Sequence, residues 1–271
     1  MQIGLLGALL AVYWIIQKHF IRTVYAVLVC VTCANRVYFD AFNPLGAPPE
    51  QRNADLRVFH ANVLYTRSDY RPIIDTIRHL NPDFFVLQEM TPAGVRAVAG
   101  LRRAYPYQDS VWAKGPCYIL VGSKTPFTVD SAARRSHRVI ALTSTVRGRT
   151  MSLITVHPRT PLLPSWFEQR NRQLAFVAQK TAEIEHPAVL IGDFNVSPFS
   201  PVFRDIFRGR NLLSPCRERF GYMPTWPRFF PLAFIPIDHA LTNVGFQTLA
   251  FRTLNTPGSD HRAICVDLVY R

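Results

Sequence analysis

The sequence predicts an α/β sandwich: four layers, α-β-β-α, with two packed mixed β-sheets flanked by helices and an N-terminal hydrophobic helical extension. Three observations carry this. From residue 55 onward about ten short apolar runs have the length of strands. Only a few segments show helical periodicity, and the runs come in mixed order, which points to two packed sheets with helices outside them. The first forty residues differ in composition from all that follows.

Residues 1–16 (MQIGLLGALLAVYWII) are almost uniformly apolar, residues 17–22 (QKHFIR) form a polar break, and a second apolar run covers 23–34. Neither run reaches the roughly 20 residues that comfortably span a bilayer. No small-residue cleavage site follows a basic start, so a secretory signal fits poorly. Two short membrane helices in a hairpin, one long interrupted helix, or a buried extension all remain open. The hairpin is preferred because the runs carry no charge, whereas a core helix would show a polar face. Lys18 and Arg22 would then face the cytoplasm and the rest of the chain would be extracytoplasmic, periplasmic in a bacterium. On this reading residues 1–38 are membrane-associated, 39–54 form a Pro-rich linker (43–54 read NPLGAPPEQRNA), and 55–271 are the main folded domain.

Within the domain, 56–63 reads as a strand, and Ser68 or Asp69 caps a helix carrying Ile73, Ile74, Ile77 and Leu80. Residues 84–88 form a short buried strand and 93–102 a helix. Strands follow at 117–122, 127–130, 139–146 and 150–156. The longest helical pattern, 166–185, starts after Pro164. A strand at 189–191, a short helix near 201–207 and a loop at 208–230 rich in Arg, Pro and aromatics lead to three last strands, at 236–242, 246–252 and 263–270.

Of the 31 basic residues only Lys18, Lys114, Lys124 and Lys180 are lysines, and with 18 acidic residues the formal net charge is +13. Arginine's planar fork matches phosphate oxygens, so this balance hints at phosphate-bearing partners, although a generally basic surface explains it as well. A hydrophobic content of 48% excludes wholesale disorder, and no solenoid period or coiled-coil heptad is present. Cys30 and Cys33 form a C-x-x-C inside an apolar run with no second pair nearby, which suits small apolar filler better than zinc. Cys117, Cys216 and Cys265 define no disulfide framework.

Polar residues at strand ends carry the chemistry. Asn62 ends the first strand, and Glu89 ends the second, in FFVLQEM, where a half-desolvated carboxylate could hold a hard cation. His157 follows the strand MSLITV. In VLIGDFNVSP, Asp193 and Asn195 are two apart and would project to one side of an extended chain, where they could orient a water and a phosphate oxygen; an Asx turn is the alternative. PIDHAL puts Asp238 in a strand with His239 turned to the opposite face. GSDHRA places Asp260 and His261 after a Pro-Gly turn.

Taken together, N-V at Asn62, L-Q-E at Glu89, the strand-end His157, G-D-F-N at 192–195, I-D-H at 237–239 and S-D-H at 259–261 resemble the endonuclease/exonuclease/phosphatase superfamily, which has the deoxyribonuclease I-like fold. The segments ANVLYT, HPRTP and FNVSPFSPVFRD also look like those of a bacterial membrane-anchored branch. The resemblance implies a metal-dependent hydrolase acting on phosphate ester bonds. It makes Glu89 the principal metal ligand, with Asn62 nearby and Asp260 a second carboxylate. Such oxygen ligands suit Mg²⁺ or Mn²⁺. Asp193 would orient or deprotonate the attacking water, and Asn195 would hold a phosphate oxygen. His157 and His261 would donate to non-bridging oxygens, while Asp238 fixes the His261 tautomer and keeps the ring cationic.

For substrate, a nuclease reading rests on arginines 204, 208, 210, 217, 219 and 228 interleaved with Phe220, Tyr222, Trp226, Phe229 and Phe230; Arg217, Arg219 and Trp226 are the candidate substrate-binding residues. A phospholipid or sphingolipid phosphodiesterase or phosphatase, working at a membrane through the N-terminus, is the second reading. A non-catalytic binding module, which the intact acid, amide and histidine set argues against, is the third. The chain is expected to be a monomer.

Overall fold

The computed structural model describes residues 2–42, 53–115, 117–211, 213–217, 223–230 and 234–271. Two six-stranded mixed sheets form the body. The first runs in the order β11 (Phe246–Leu254), β12 (Ala263–Tyr270), β1 (Leu56–Asn62), β2 (Phe84–Met90), β4 (Cys117–Ser123), β3 (Tyr107–Lys114). The second runs β5 (Phe127–Val129), β6 (Ile140–Val146), β7 (Arg149–Thr155), β8 (Ala188–Asp193), β10 (Asp238–Thr242), β9 (Ser214–Pro215).

Strand alternation explains the layering. Val58, Val86, Ile119 and Val121 of the first sheet meet Leu142, Leu153, Val189 and Ile191 of the second in one apolar cluster. The odd partners Phe59, Ala61, Phe85 and Leu87 point the other way, onto Ile73 and Ile77 of helix α3 (Arg71–Leu80). Ile154 and Leu190 face away on the other side, onto Leu174, Val177 and Ala178 of the long helix α6 (Pro164–Ala182). Central strands buried on both faces read as continuous apolar runs for this reason. The result is the α-β-β-α sandwich.

Local chemistry shifts several boundaries. Asp69 does not cap α3 directly: Tyr70 is the N-cap residue, while the Asp69 carboxylate accepts from the Arg71 N–H at 3.0 Å. The helix read at 93–102 divides into α4 (Pro92–Ala97) and a 3₁₀ segment (Val98–Arg103). The turn of helix at α7 (Pro201–Phe203) continues as a π-helical segment (Arg204–Arg210). The sequence reading does not include a short helix, α5 (Ser131–His137); Asp130 caps it by accepting from the Ala132 and Ala133 N–H groups.

At the N-terminus, α1 (Gln2–Ile16) and α2 (Phe20–Phe42) flank a polar turn. Gly4 and Gly7 of α1 leave room for Cys33 and Cys30 of α2, and the Cys30 thiol lies 3.3 Å from the Gly4 carbonyl. Both cysteines thus serve as small packing residues. Among the described residues no helix is long and apolar enough to cross a membrane. This corrects the membrane-spanning expectation. The 15 residues of α1 extend only about 22 Å against a hydrocarbon core of about 30 Å. The 23-residue α2 is long enough but carries Arg22, Arg36 and Asp40. It also runs past residue 38, into the stretch read as linker; residues 43–52 lie outside the described residues.

Candidate active site

Strands β1 and β2 run parallel, as do β7 and β8. Their C-terminal ends, carrying Asn62, Glu89 and Asp193, with His157 two residues past β7, therefore emerge on one rim. Strand β10 is antiparallel to β8 and starts there, with Asp238 directly opposite Asp193. Strand β12 is antiparallel to β1 and starts there too, which brings the preceding Asp260 and His261 to the same place.

Alternation alone would send Glu89 outward with Phe85 and Leu87. A break in the β2–β4 register between Leu87 and Met90, with Glu89 at φ +59°, re-aims it. A left-handed non-glycine backbone at such a place is local strain held by its surroundings. The Glu89 carboxylate then accepts from Asn62 Nδ2 at 3.2 Å and from the Tyr65 N–H at 3.1 Å. Asn62 Nδ2 also donates to Asp193 Oδ2 at 3.2 Å. Its Oδ1 accepts from the Leu64 N–H at 3.1 Å, which fixes the amide orientation. Asn62 thus presents its N–H to both acids in this structure and lies between the two carboxylates.

His157 Nε2 lies 3.5 Å from Asp193 Oδ2 and 3.8 Å from Glu89 Oε1. Burial and the neighbouring Asp238 push the Asp193 carboxyl up, but the contact with His157 and the charges of both histidines hold it below the usual carboxylate range. His261 Nδ1 meets Asp238 Oδ2 at 2.8 Å, and its Nε2 is 3.9 Å from Asp193 Oδ2. Burial alone would lower the pKa of His261, yet Asp238, with help from Asp193 and Asp260, raises it to about 9. The ring is an imidazolium at neutral pH.

Asn195 departs from the extended geometry expected of it. Strand β8 stops at Asp193, and Asn195 is left-handed at φ +50°. Its backbone N–H donates to Asp193 Oδ1 at 2.9 Å, and its side chain donates to the Pro158 carbonyl at 3.1 Å. The Asx turn is therefore present, inside the site. His239 faces away as alternation requires: Nε2 lies 2.8 Å from the Val196 carbonyl, the ring packs on Phe194 and Phe203, and burial lowers its pKa to about 4.

Trp226 reaches the site through an acid, its indole N–H donating to Asp260 Oδ2 at 2.9 Å. Arg217 is half-buried, two residues past β9. Arg219, Phe220 and Tyr222 lie outside the described residues.

Several supporting residues escape the sequence reading. Gln88 bridges the sheets, donating to Thr155 Oγ1 and the Val156 carbonyl and accepting from the Asp193 N–H. Gly192 is required beside it, since a Cβ would sit 2.5 Å from the Val156 carbonyl oxygen and 2.7 Å from Gln88 Nε2. Arg170 holds the Asn195 carbonyl at 2.8 Å. Thr225 Oγ1 accepts from the Asp238 N–H at 3.1 Å. His60 lies on the opposite oxygen of Asp238 at 3.0 Å. Polar residues within apolar runs, Gln88 and His60, are the signal that could have found them.

Among the described residues one cluster of acids and histidine is compact enough to hold a cation. Ligand atoms of Asp193, Asp238 and His261 lie within 4.8 Å of one another. Both oxygens of Asp238 are taken by imidazoles, however, so this trio suits proton handling. Glu89 and Asp260 offer further carboxylate oxygens to a hard cation: Asp260 Oδ1 is buried with no hydrogen-bond partner among the described residues and lies 4.0 Å from His261 Nε2.

A family model described as "Endonuclease/Exonuclease/phosphatase family" matches residues 59–261. No curated protein gives a significant sequence match. Among solved structures, D. rerio TDP2 complexed with a single-strand DNA product superposes at TM-score 0.63 and 16% identity, covering 79% of this chain and 98% of that one. An endonuclease/exonuclease/phosphatase from Beutenbergia cavernae gives 0.62 and 19%, covering 81% and 72%. One from Bacteroides vulgatus gives 0.63 and 16%, covering 80% and 99%. At these identities the likeness is one of fold.

Proposed function

The chain belongs to the endonuclease/exonuclease/phosphatase family, and on that premise we propose that it is a divalent-metal-dependent phosphodiester hydrolase of nuclease type. The observation that carries this is the meeting of Asn62, Glu89, His157, Asp193 and His261 from both sheets, each within 4 Å of a neighbour in the set.

In this reading the Asp193 carboxylate, kept ionised by its two histidine neighbours, accepts a proton from the attacking water. Asn62 holds Asp193 and Glu89 apart without adding charge. His157 and His261 supply N–H donors where charge develops on the non-bridging phosphoryl oxygens, and Asp238 keeps His261 cationic for that task. Glu89 and Asp260 would hold Mg²⁺ or Mn²⁺, which when bound polarises a phosphoryl oxygen and eases departure of the leaving oxygen. The nuclease type is supported by the net charge of +13 and by the single-strand DNA product in the structurally similar D. rerio TDP2.

A second reading has its own observation. Leu162, Leu163 and Phe167 follow His157, and Phe229 and Phe230 adjoin Arg228, whose N–H donates to the Asp260 carbonyl; all five are exposed. Exposed apolar residues in these two segments favour a phosphodiester within an amphiphile at a lipid surface, where the exposed apolar residues of α1 and α2 would help keep the enzyme. The test incubates the full chain with Mg²⁺ or with chelator on single-stranded DNA and, separately, on phosphatidylcholine–sphingomyelin vesicles. Chelator-sensitive DNA cleavage is expected. Cleavage of lipid alone would replace the nuclease reading with the second one, and no cleavage of either would sink both.

A further inference from the structure

Asp238 carries two imidazoles. Its Oδ2 faces His261 Nδ1 at 2.8 Å, and its Oδ1 faces His60 Nε2 at 3.0 Å. The mechanism above uses the first and leaves the second without a task. The side chains of His60 and Asp238 are both fully buried. Burying an imidazole on a carboxylate between two sheets is costly unless every proton is matched.

The placement follows from β1. Its residues alternate, so Val58 enters the apolar layer between the sheets, and His60 and Asn62 continue that face toward the rim. Asn62 there reaches Asp193, and His60 reaches Asp238, the residue paired with Asp193 in the second sheet. His60 Nδ1 is buried and has no hydrogen-bond partner among the described residues. The tautomer that leaves no buried donor unpaired has its proton on Nε2, donated to Asp238 Oδ1.

We propose that His60 is a positioning residue: by donating to Asp238 across the sheet interface it locks the carboxylate plane, so that Oδ2 holds His261 with Nε2 aimed at Asp193 and the substrate. One hydrogen bond to Oδ2 would leave the carboxylate free to rock about its side-chain torsion. A donor on each oxygen, together with the Asp238 N–H on Thr225 Oγ1, removes that freedom. His60 belongs to the first sheet and Asp238 to the second, so the contact also sets the distance between the halves of the site. The inference rests on the proposed hydrolysis for its kinetic readout alone.

Three measurements on the full chain test it. In the wild-type protein, long-range ¹H–¹⁵N spectra should assign the His60 proton to Nε2; a proton on Nδ1 would overturn the proposal, since nothing would then be donated to Asp238. That readout needs no turnover, so it separates failure of this inference from failure of the hydrolase reading. With a small phosphodiester such as bis-p-nitrophenyl phosphate and Mg²⁺, His60→Leu should lower kcat by about 10- to 100-fold with KM little changed, as for loss of a supporting hydrogen bond. His60→Gln, whose amide N–H₂ can occupy the Nε2 position, should recover most of the loss. In an Asp238→Asn background His60→Leu should add less than about threefold, because the residue it acts through is already altered. Equal losses for Leu and Gln in folded proteins, or a full additional loss in the Asp238→Asn background, would mean that His60 serves packing alone.

Discussion

Asn62 Nδ2 lies 3.2 Å from Glu89 Oε1 and 3.2 Å from Asp193 Oδ2, so one neutral amide joins carboxylates from two different sheets. A lysine there would neutralise one acid, and an aspartate would repel both. The amide offers two N–H donors at no net charge, and its oxygen is anchored on the Leu64 N–H. Asn62→Ala should therefore lower kcat by about 10²-fold, the scale for removing one well-placed donor. Asn62→Asp, of equal size, should be worse, because three acids would crowd one buried volume. Steady-state kinetics of the two variants, with circular dichroism to check folding, would read the order; an Asp variant as active as wild type would exclude the spacer role.

Glu89→Gln keeps shape and removes one negative charge beside Asn62 and Tyr65. Calorimetric titration should show Mg²⁺ binding weakened by at least about tenfold, with turnover lost in parallel and thermal unfolding little changed. Unchanged affinity together with normal turnover would take Glu89 out of the cation site.

How far the sequence can be read depends on burial. Ten strands are legible because their apolar runs are buried on at least one face or, in β5, half-buried against the core through Phe127 and Val129. The two that are missed, β3 and β9, are both sheet edges: β3 carries Gln108, Asp109 and Ser110, and β9 has only two residues. Edge strands pair on one side and tolerate polar sequence, so the period-2 signal fades. In the site, Glu89, Asp193, Asp238 and His261 stand out as polar residues at the ends of apolar runs. Gln88 and His60 do not, because they lie within the runs and find their partners on the other sheet; sequence shows the strand but not what faces it. The extended geometry expected of Asn195 fails because alternation does not continue past the end of β8, into a turn.

Trp226 separates two ideas of what its indole does. If it stacks on substrate, Trp226→Phe keeps a ring and should cost little. The structure also gives the indole N–H a partner, Asp260 Oδ2 at 2.9 Å. Removing that donor frees the carboxylate to turn away from the site. Trp226→Phe should thus weaken Mg²⁺ binding by about 10-fold, as loss of a group that orients a ligand does, with substrate KM at saturating metal nearly unchanged. Unchanged Mg²⁺ affinity in Trp226→Phe would restore the stacking role.

His261 makes stability depend on pH in a defined direction. Its folded pKa of about 9 lies above the unfolded value near 6.5, so its contribution is fully present below pH 6.5 and is lost as pH rises through 9. The shift corresponds to something on the order of 3 kcal/mol. Urea unfolding of wild type and His261→Gln, both in chelator, should show the wild-type advantage shrinking from pH 6 to pH 10. An advantage that grows over this range would mean that the ring is neutral in the folded protein.

The site draws on only part of the chain. Among the described residues the three buried apolar clusters lie between Leu56 and Tyr270, with none from α1 or α2. The helices α1 and α2 instead pack on each other through Gly4, Gly7, Cys30 and Cys33, and leave Leu9, Ile16, Phe20 and Tyr25 exposed. The family match likewise begins at Phe59. Large exposed apolar surfaces drive association, so the full chain should associate through these helices. A chain beginning at Asn53 should instead fold, remain monodisperse, and hydrolyse the same small phosphodiester with kcat close to the full chain's, since no residue of the site has been removed. Light scattering and turnover measured side by side would check both parts. If the shortened chain aggregates or loses activity, α1 and α2 complete the fold and the domain boundary near residue 53 is wrong.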